Sequence, residues 1–237
     1  MVRQPPAAHS GVSGGDHEGK LQCSVRRGRV VAETQRMSQS ERTDLSDQRM
    51  LDAAVELIIE RGPDKTTLKD VGELAGYSRG LAGYRFGSKA GLFEFIVRSI
   101  GEYWLRELTR VTANRNGIDA ICAATDEHLR FCRDAPDRVR AFYLLWFESV
   151  SPSSGIKQVV ASIHDRRRRD VAQWIRLAVT AGDAQIQVSE DAIAGQFGAS
   201  IVGIVYHWLQ HLDDLDEVAA LHESLKQTMR LALGVVN

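Results

Sequence analysis

The stretch GYSRGLAGYRFGSKAGLF, residues 76–93, decides how the rest of the chain is interpreted, because five glycines stand among apolar residues that otherwise favour a helix. A glycine in a helix interior costs about 1 kcal/mol relative to alanine. Gly76 and Gly87 stand where short helices would end, and Ser78 and Ser88 follow them as N-cap residues. The pattern therefore predicts a short helix between two glycine turns, and a further helix that starts after Ser88.

Amphipathic helices are predicted immediately upstream of this stretch. Apolar residues at helical spacing predict helix one over residues 45–61, ending before Gly62 and Pro63. Thr67 followed by Asp70 has the capping-box pattern, which predicts a short second helix that ends near residue 75. The predicted buried faces are Leu51, Ala54, Val55, Ile58 and Ile59 in helix one, and Leu68, Val71, Leu74 and Ala75 in helix two.

Downstream of the stretch the chain predicts an all-α fold. Long amphipathic segments are broken at Pro136, at SPSSG and at AGDAQIQVSED, and no alternation of β-branched residues is long enough for a strand. The predicted helices cover residues 88–113, 117–134, 136–150, 154–182, 189–211 and 214–234.

Composition narrows the class of protein. Hydrophobic residues make up 43% and charged residues 26%, which excludes a wholly disordered chain. Cys23, Cys122 and Cys132 are too few and too irregular for a disulfide framework, which favours a reducing cytoplasm. No apolar run approaches the roughly 20 residues of a membrane span. No phosphate-binding glycine loop or catalytic triad is evident, so we expect neither an enzyme nor a cofactor.

Residues 1–43 predict a disordered arm, since they combine prolines, glycines and serines with the basic cluster VRRGRV and have no sustained apolar period. Met37 is a second candidate start. Two helical domains are predicted to follow, a small one over residues 44–93 and a larger one over residues 94–237.

The two short helices around Gly76 form a helix-turn-helix pattern, in which the second helix enters the major groove of DNA. The chain has a net charge of −1, yet residues 74–93 contain Arg79, Arg85 and Lys89 and no acidic residue. A generic pair of packed helices would not explain this local charge. The pattern therefore indicates a surface that meets a polyanion.

Residues 51–93 resemble the N-terminal DNA-binding domain of TetR-family transcriptional regulators, through LDAA, ERG, TT, AGYSRG and FGSKAGL at the family's spacing. The resemblance implies that Thr67, Tyr84 and Lys89 contact phosphates and that helix three faces base edges. It also implies a homodimer on a palindromic operator, acting as a repressor that a small molecule controls. The candidate DNA-binding residues are Thr67, Ser78, Arg79, Gly80, Leu81, Gly83, Tyr84, Arg85, Ser88 and Lys89.

Gly83 departs from the family, which often has an aromatic residue at this position. We hypothesise that Gly80 and Gly83 thin helix three, so that its backbone can sit deep in the groove. The family also often has alanine where this chain has Gly72.

The last two predicted helices are candidates for the dimer contact, because the resemblance implies that they pack with their copies as a four-helix bundle. The alternative is that they form only the core of the monomer. The candidate interface residues are Phe197, Ile201, Ile204, Val205, Trp208, Leu221, Leu225 and Met229.

The middle helices concentrate aromatic residues that either line an effector pocket or simply form core. They are Tyr103, Trp104, His128, Phe131, Phe142, Tyr143, Trp146, Phe147 and Trp174. Nearby, HDRRRRD at residues 164–170 places four arginines in succession, which sweep roughly 300° around a helix. At least one must lie near protein or a partner. Glu148 or an anionic ligand could then pair with it. The alternative is a broadly exposed helix with the surface pairs Asp165–Arg169 and Arg166–Asp170 at the i, i+4 spacing.

Two pairs have a spacing that can chelate a metal on one helix face, His207 with His211 and His128 with Cys132, but no third ligand is evident. We therefore expect no metal. The competing interpretation of the whole chain is a helical small-molecule-binding or enzymatic protein with a vestigial DNA-reading head.

Overall fold

The structure, a computed structural model, describes residues 38–212 and 214–235. Within them the regular structure is entirely helical, so the all-α prediction is confirmed. The predicted arm lies outside the described residues as far as Met37. The helices are α1 Gln39–Arg61, α2 Leu68–Leu74, α3 Arg79–Phe86, α4 Lys89–Thr112, α5 Gly117–Asp134, α6 Pro136–Glu148, α7 Lys157–Ala181, α8 Glu190–Gln210 and α9 Leu215–Ala232.

Helix α1 begins at Gln39 rather than at residue 45, so residues 39–43 are helical and do not belong to an arm. The reason is a capping box that the sequence analysis missed. The Ser38 hydroxyl accepts a hydrogen bond from the Glu41 amide at 3.2 Å, and the Glu41 carboxylate accepts one from the Ser38 amide at 2.6 Å. Two amide groups that would otherwise lack partners are thereby satisfied.

The small helices pack as predicted, with one exception. In α1 Leu51, Ala54, Val55 and Ile58 are buried, and in α2 Val71 and Ala75 are buried. Leu74 was expected to be buried with them, but it is 47% exposed. It precedes Ala75 by one residue, about 100° around the helix axis, and so falls outside the narrow buried face of this short helix.

The larger helices form a second layer that continues the same core. Helix α5 packs on α4, α7 and α9, and α8 packs on α7 and α9, while α6 contacts both α1 and α4. The 24-residue α4 therefore runs from the small helices into the larger set. Gly101 of α4 lies close to Ile163 and Phe142, which brings α4, α6 and α7 together.

Helix α8 is long and apolar enough, by length and composition, to cross a membrane, which the sequence analysis did not expect. One such helix is weak evidence, because core helices of soluble proteins pass the same test. Only 39% of its most apolar window is buried. An apolar face of α8 is therefore left uncovered in the single chain.

Candidate nucleic-acid interface and ligand cavity

Helices α2 and α3 are joined by a tight glycine turn. Gly76 has φ +80° and Gly87, after α3, has φ +70°, a conformation that glycine adopts without strain. The Tyr77 amide donates to the Gly72 carbonyl at 2.9 Å and closes the first turn. Ala82 on the inner face of α3 is fully buried. The two helices therefore have the connection expected of a helix-turn-helix.

The helix N-termini in this region are capped in different ways. The Thr67 hydroxyl accepts from the Asp70 amide at 3.2 Å and donates to the Asp70 carboxylate at 2.8 Å. The Ser88 hydroxyl accepts from the Gly91 amide at 3.0 Å. Ser78 stands at the N-cap of α3 but makes no capping hydrogen bond through its side chain. The first amides of α3 are thus without a side-chain cap.

Two of the predicted DNA-binding cations are already engaged within the chain. The Arg85 Nε donates to Asp47 of α1 at 2.9 Å, and its Nη2 contacts the other carboxylate oxygen. This hydrogen-bonded pair raises the pKa of Arg85. The Lys89 Nζ donates to the Asp64 carbonyl at 2.6 Å. Arg85 and Lys89 therefore hold the head, which consists of α1–α3 and the start of α4, together when no DNA is bound.

The outer surface of α3 is open. Tyr84 is 90% exposed, and Arg79 is the first residue of α3, although its side chain lies outside the described part of the structure. Leu81, a candidate DNA-binding residue, packs partly against the core, so its side chain is only partly available for a base contact.

The other three glycines of residues 76–93, Gly80, Gly83 and Gly91, separate into two kinds. A Cβ added at Gly80 or Gly83 would meet no atom within 4 Å, so the fold itself does not require glycine there. A Cβ at Gly91 would lie 2.2 Å from the Phe86 carbonyl oxygen. Gly91 is thus required where α4 passes the end of α3, whereas any reason for Gly80 and Gly83 lies outside the chain.

A cavity of about 260 Å³ lies among α4, α5, α6, α7 and α8. Its walls are aromatic and aliphatic, with arginines from α7 at one side. The residues from the sequence prediction that line it are Trp104, His128, Tyr143, Trp146 and Trp174. The sequence analysis missed the contribution of α8, which supplies Phe197 and Ile201.

The other predicted pocket residues lie outside this cavity. Phe131 and Phe142 pack in a seam beside it, where Phe131 stacks on Trp104 with 6.1 Å between ring centroids. Phe147 packs edge-on against Tyr206, and Tyr103 is 38% exposed. For these residues packing, rather than a pocket, accounts for the aromatic side chain.

Arg167 is the arginine of the run that turns inward. Its guanidinium carbon lies 3.4 Å from the centroid of the Trp104 ring, close enough for a strong cation–π contact. Burial lowers the pKa of Arg167 to about 10, so the group remains charged at neutral pH. In the described residues no carboxylate forms an ion pair with it, so Glu148 is not its partner. Arg168 instead pairs with Asp191 at 3.2 Å.

A buried chain of hydrogen bonds runs from the cavity wall to α9. The Nδ1 of His222 lies 2.7 Å from the Val218 carbonyl, so it must be the protonated nitrogen and donate. The Nε2 of His222 then accepts from Nδ1 of His128 at 2.8 Å, and Nε2 of His128 accepts from the Tyr143 hydroxyl at 3.2 Å. Burial lowers the pKa of both histidines, so both are neutral at pH 7.

The cysteines and histidines show no arrangement for redox or metal chemistry within the described residues. Burial raises the pKa of Cys132 to about 12 and also raises that of Cys122, so neither thiol is activated. His128 is committed to His222, and residues 38–212 and 214–235 contain no cluster of three potential metal ligands. Cys23 lies outside the described residues.

The large apolar residues predicted for the dimer interface belong instead to the core of the monomer, the alternative that the sequence left open. The reason is that α8 and α9 pack against each other, α8 also against α7 and α9 also against α5, so that most of their bulky residues are buried. Leu221 is half-buried, and the buried side chains are Phe197, Ile201, Ile204, Val205, Trp208, Leu225 and Met229.

Comparison with known proteins agrees with this architecture. Residues 50–96 match the family model of bacterial regulatory proteins of the tetR family. The HTH-type transcriptional regulator SrpR of Pseudomonas putida is 23% identical over 171 residues, which cover 72% of this chain and 78% of SrpR.

Solved structures show the same fold. FadR of Bacillus subtilis, in complex with stearoyl-CoA, superposes with a TM-score of 0.67 at 14% identity, over 80% of this chain and 99% of FadR. SmeT, the repressor of the multidrug efflux pump SmeDEF of Stenotrophomonas maltophilia, gives a TM-score of 0.65 at 20% identity, over 81% of this chain and 93% of SmeT. The helix-turn-helix therefore lies in the segment that matches the tetR family model, and the chain as a whole is similar to HTH-type transcriptional regulators and shares the fold of TetR-family structures.

Proposed function

We propose that the chain acts in the cytoplasm as a homodimeric repressor, without enzymatic activity, that binds a palindromic operator and releases it when a small molecule occupies the cavity. The observation that carries this proposal is the combination of two sites in one chain. An open α3 surface lies in the small N-terminal helices, and a cavity lined by aromatic residues lies in the larger set of helices. FadR, which has the same fold, was solved with a bound stearoyl-CoA.

The open face of α3 is the proposed base-reading surface. Tyr84, Gly80 and Gly83 share one side of α3, where Tyr84 is 90% exposed and a Cβ at either glycine would meet none of the described residues within 4 Å. Thr67 and Ser88 flank it as helix N-caps, where amide groups favour a phosphate. Arg85 can contact DNA only if it breaks or shares its ion pair with Asp47. In the chain without DNA its main role is therefore to position α3 against α1.

A second copy of the chain is the proposed occupant of the uncovered faces of α8 and α9. On α8 these faces carry exposed Ala199, Gly203 and Tyr206, and on α9 they carry Ala220 and Leu231, which is 82% exposed. Small residues let two helices approach closely, and the large exposed side chains provide apolar area. This surface replaces the buried residues that the sequence analysis selected.

Ligand and DNA would communicate through two arrangements of the heads. A ligand releases DNA only if it binds better to the arrangement in which the two heads are misplaced. Helix α4 is suited to link the sites, because Phe93 near its start is in the core next to the head and Trp104 lines the cavity. A helix is stiff over this distance, at about 1.5 Å per residue.

The test is a titration of the full chain against the intergenic DNA beside its own gene, at two salt concentrations and with excess unrelated duplex. We expect saturable binding by two chains per site, with affinity that falls steeply as salt rises, because phosphate contacts release counterions. Binding that unrelated duplex competes away fully would contradict an operator beside the gene. Absence of binding at both salt concentrations would favour the helical small-molecule-binding or enzymatic alternative.

A further inference from the structure

We infer that the cavity binds a compact organic anion, a carboxylic acid with a flat aromatic or apolar body, and that Arg167 holds its carboxylate. This inference rests on the proposed function, since it names the chemical class of the effector. It stands on three features of the cavity: its charge, its unsatisfied hydrogen-bond donors and its walls.

The first feature is an uncompensated positive charge. Arg166, Arg167, Arg168 and Asp170 are the charged residues along the cavity. Arg168 is paired with Asp191, and Asp170 interacts with Arg166 and Arg169. The neutral His128 offers no compensation. Among the described residues Arg167 therefore has no counter-charge, which an anionic ligand would supply.

The second feature is a pair of buried donors without partners. The Nη2 of Arg167 and the Nε1 of Trp104 are both buried, and neither has a hydrogen-bond partner among residues 38–212 and 214–235. Arginine and tryptophan can only donate, so what they lack is an acceptor. A buried donor without a partner costs about 1–3 kcal/mol, and more when it is charged. A carboxylate supplies acceptor oxygens, and we expect one of them to accept from the Arg167 Nη2.

The geometry of Arg167 leaves it able to bind a carboxylate. The flat face of its guanidinium lies on the Trp104 ring, whereas its N–H groups lie in the plane of the guanidinium. Stacking therefore occupies the face and leaves the edge for hydrogen bonds. Part of that edge interacts with the Tyr143 hydroxyl, and the Nη2 remains available to a carboxylate. The ring also holds the long side chain in place, which reduces the entropy lost on binding.

The third feature is the rest of the wall. Trp146, Trp174, Phe197 and Ile201 present rings and aliphatic groups, which suit an apolar body better than a sugar or a polyol. The volume of about 260 Å³ is below the usual range of roughly 300–1,000 Å³ for ligand pockets. The body is therefore small, of one or two rings or a short chain.

The experiment is isothermal calorimetry of the full chain with matched acids and amides: 1-naphthoate with 1-naphthamide, and indole-3-acetate with indole-3-acetamide. We expect at least one acid to bind at least tenfold more tightly than its amide. Because this comparison uses the wild-type chain, it does not depend on how any variant folds. If the amides bind as tightly as the acids, or if no acid binds, the inference is overturned.

Variants of α7 locate the effect. Arg167→Gln should abolish the preference for the acid, and Arg167→Lys should keep part of it, because lysine retains the charge but loses the planar geometry. Arg176→Gln is the matched control, since Arg176 is exposed on the same helix and its side chain donates to Gln173. A preference that survives Arg167→Gln in a folded protein would refute the role of Arg167. Operator binding is measured in a separate titration. A result that overturns the anion inference therefore does not affect the test of the DNA-binding function.

Discussion

Replacement of Gly83 by alanine should make the protein more stable and at the same time a poorer DNA binder. Gly83 lies in the interior of the eight-residue α3, and a Cβ there meets no atom within 4 Å. Alanine is favoured over glycine by about 0.8–1 kcal/mol inside a helix, and nothing in the fold opposes that gain. For a chain of this size such a gain raises the Tm by about 2–4 °C.

The loss of DNA affinity follows from the same open space. If the backbone of α3 sits deep in the groove, the added methyl group occupies space that the DNA needs. We expect operator affinity to fall about tenfold, which corresponds to about 1.4 kcal/mol. Thermal unfolding and fluorescence anisotropy with the operator measure the two effects on one sample. Unchanged or tighter operator binding by the more stable variant would refute the proposed role of Gly83.

A contrasting substitution in the same stretch controls for general effects of alanine. Gly91→Ala places a Cβ 2.2 Å from the Phe86 carbonyl oxygen, and backbone cannot yield as a flexible side chain can. We expect this variant to be destabilised, with a lower Tm, in contrast to Gly83→Ala. If both variants change stability in the same direction, the distinction between required and open glycines is wrong.

Three further perturbations follow from particular contacts. Asp47→Asn should release Arg85 for a phosphate and steepen the salt dependence of DNA binding by about one counterion, measured as the slope of log affinity against log salt; an unchanged slope would contradict this. Because burial keeps His128 and His222 neutral, the unfolded chain takes up protons below pH 6.5 that the native chain does not. The free energy of unfolding should therefore decrease as the pH is lowered below 6.5, by up to about 2.7 kcal/mol per pH unit for the two histidines, or about 1.36 kcal/mol for each. Urea titrations between pH 7 and 5 measure this slope, which His222→Gln should reduce. Tyr206→Arg should weaken the dimer in analytical ultracentrifugation without unfolding the chain, because Tyr206 is 57% exposed.

Local patterns were sufficient to predict the helices and the head. The turn at Gly76, the caps at Thr67 and Ser88 and the breaks between the long helices depend on neighbouring residues, which a sequence displays directly. The start of α1 at Gln39 was not predicted, although Ser38 and Glu41 form a capping box. The basic, glycine-containing segment before Ser38 led to a predicted helix start at residue 45, six residues too late.

Long-range partners could not be predicted in the same way. The sequence left open whether an arginine of the run lies near protein or a partner or whether the whole run is on an exposed helix. The packing of α7 against α4 selects Arg167 and places it on Trp104. Arg85 looked free because Asp47 stands 38 residues before it. The apolar residues of α8 fit a dimer surface or a core equally well by periodicity, and the contacts with α7 and α9 decide for the core.

Free energies of interaction indicate which contacts between the cavity and the head could couple the two sites. Two elements that line the cavity also reach the head, α4 directly and α6 through its contact with α1. An ion pair between Arg138 of α6 and Asp52 of α1, at 2.9 Å, joins the second route. Both side chains are substantially exposed, and such a pair contributes about 0–1 kcal/mol, whereas coupling between effector and DNA typically requires about 1–3 kcal/mol. In the proposed mechanism the apolar packing of α6 on α1 and the unbroken α4 would therefore carry most of the coupling, so Arg138→Gln should leave effector-induced release of the operator largely intact. Loss of release in that variant, with ligand and operator each still bound separately, would place the coupling in the ion pair instead.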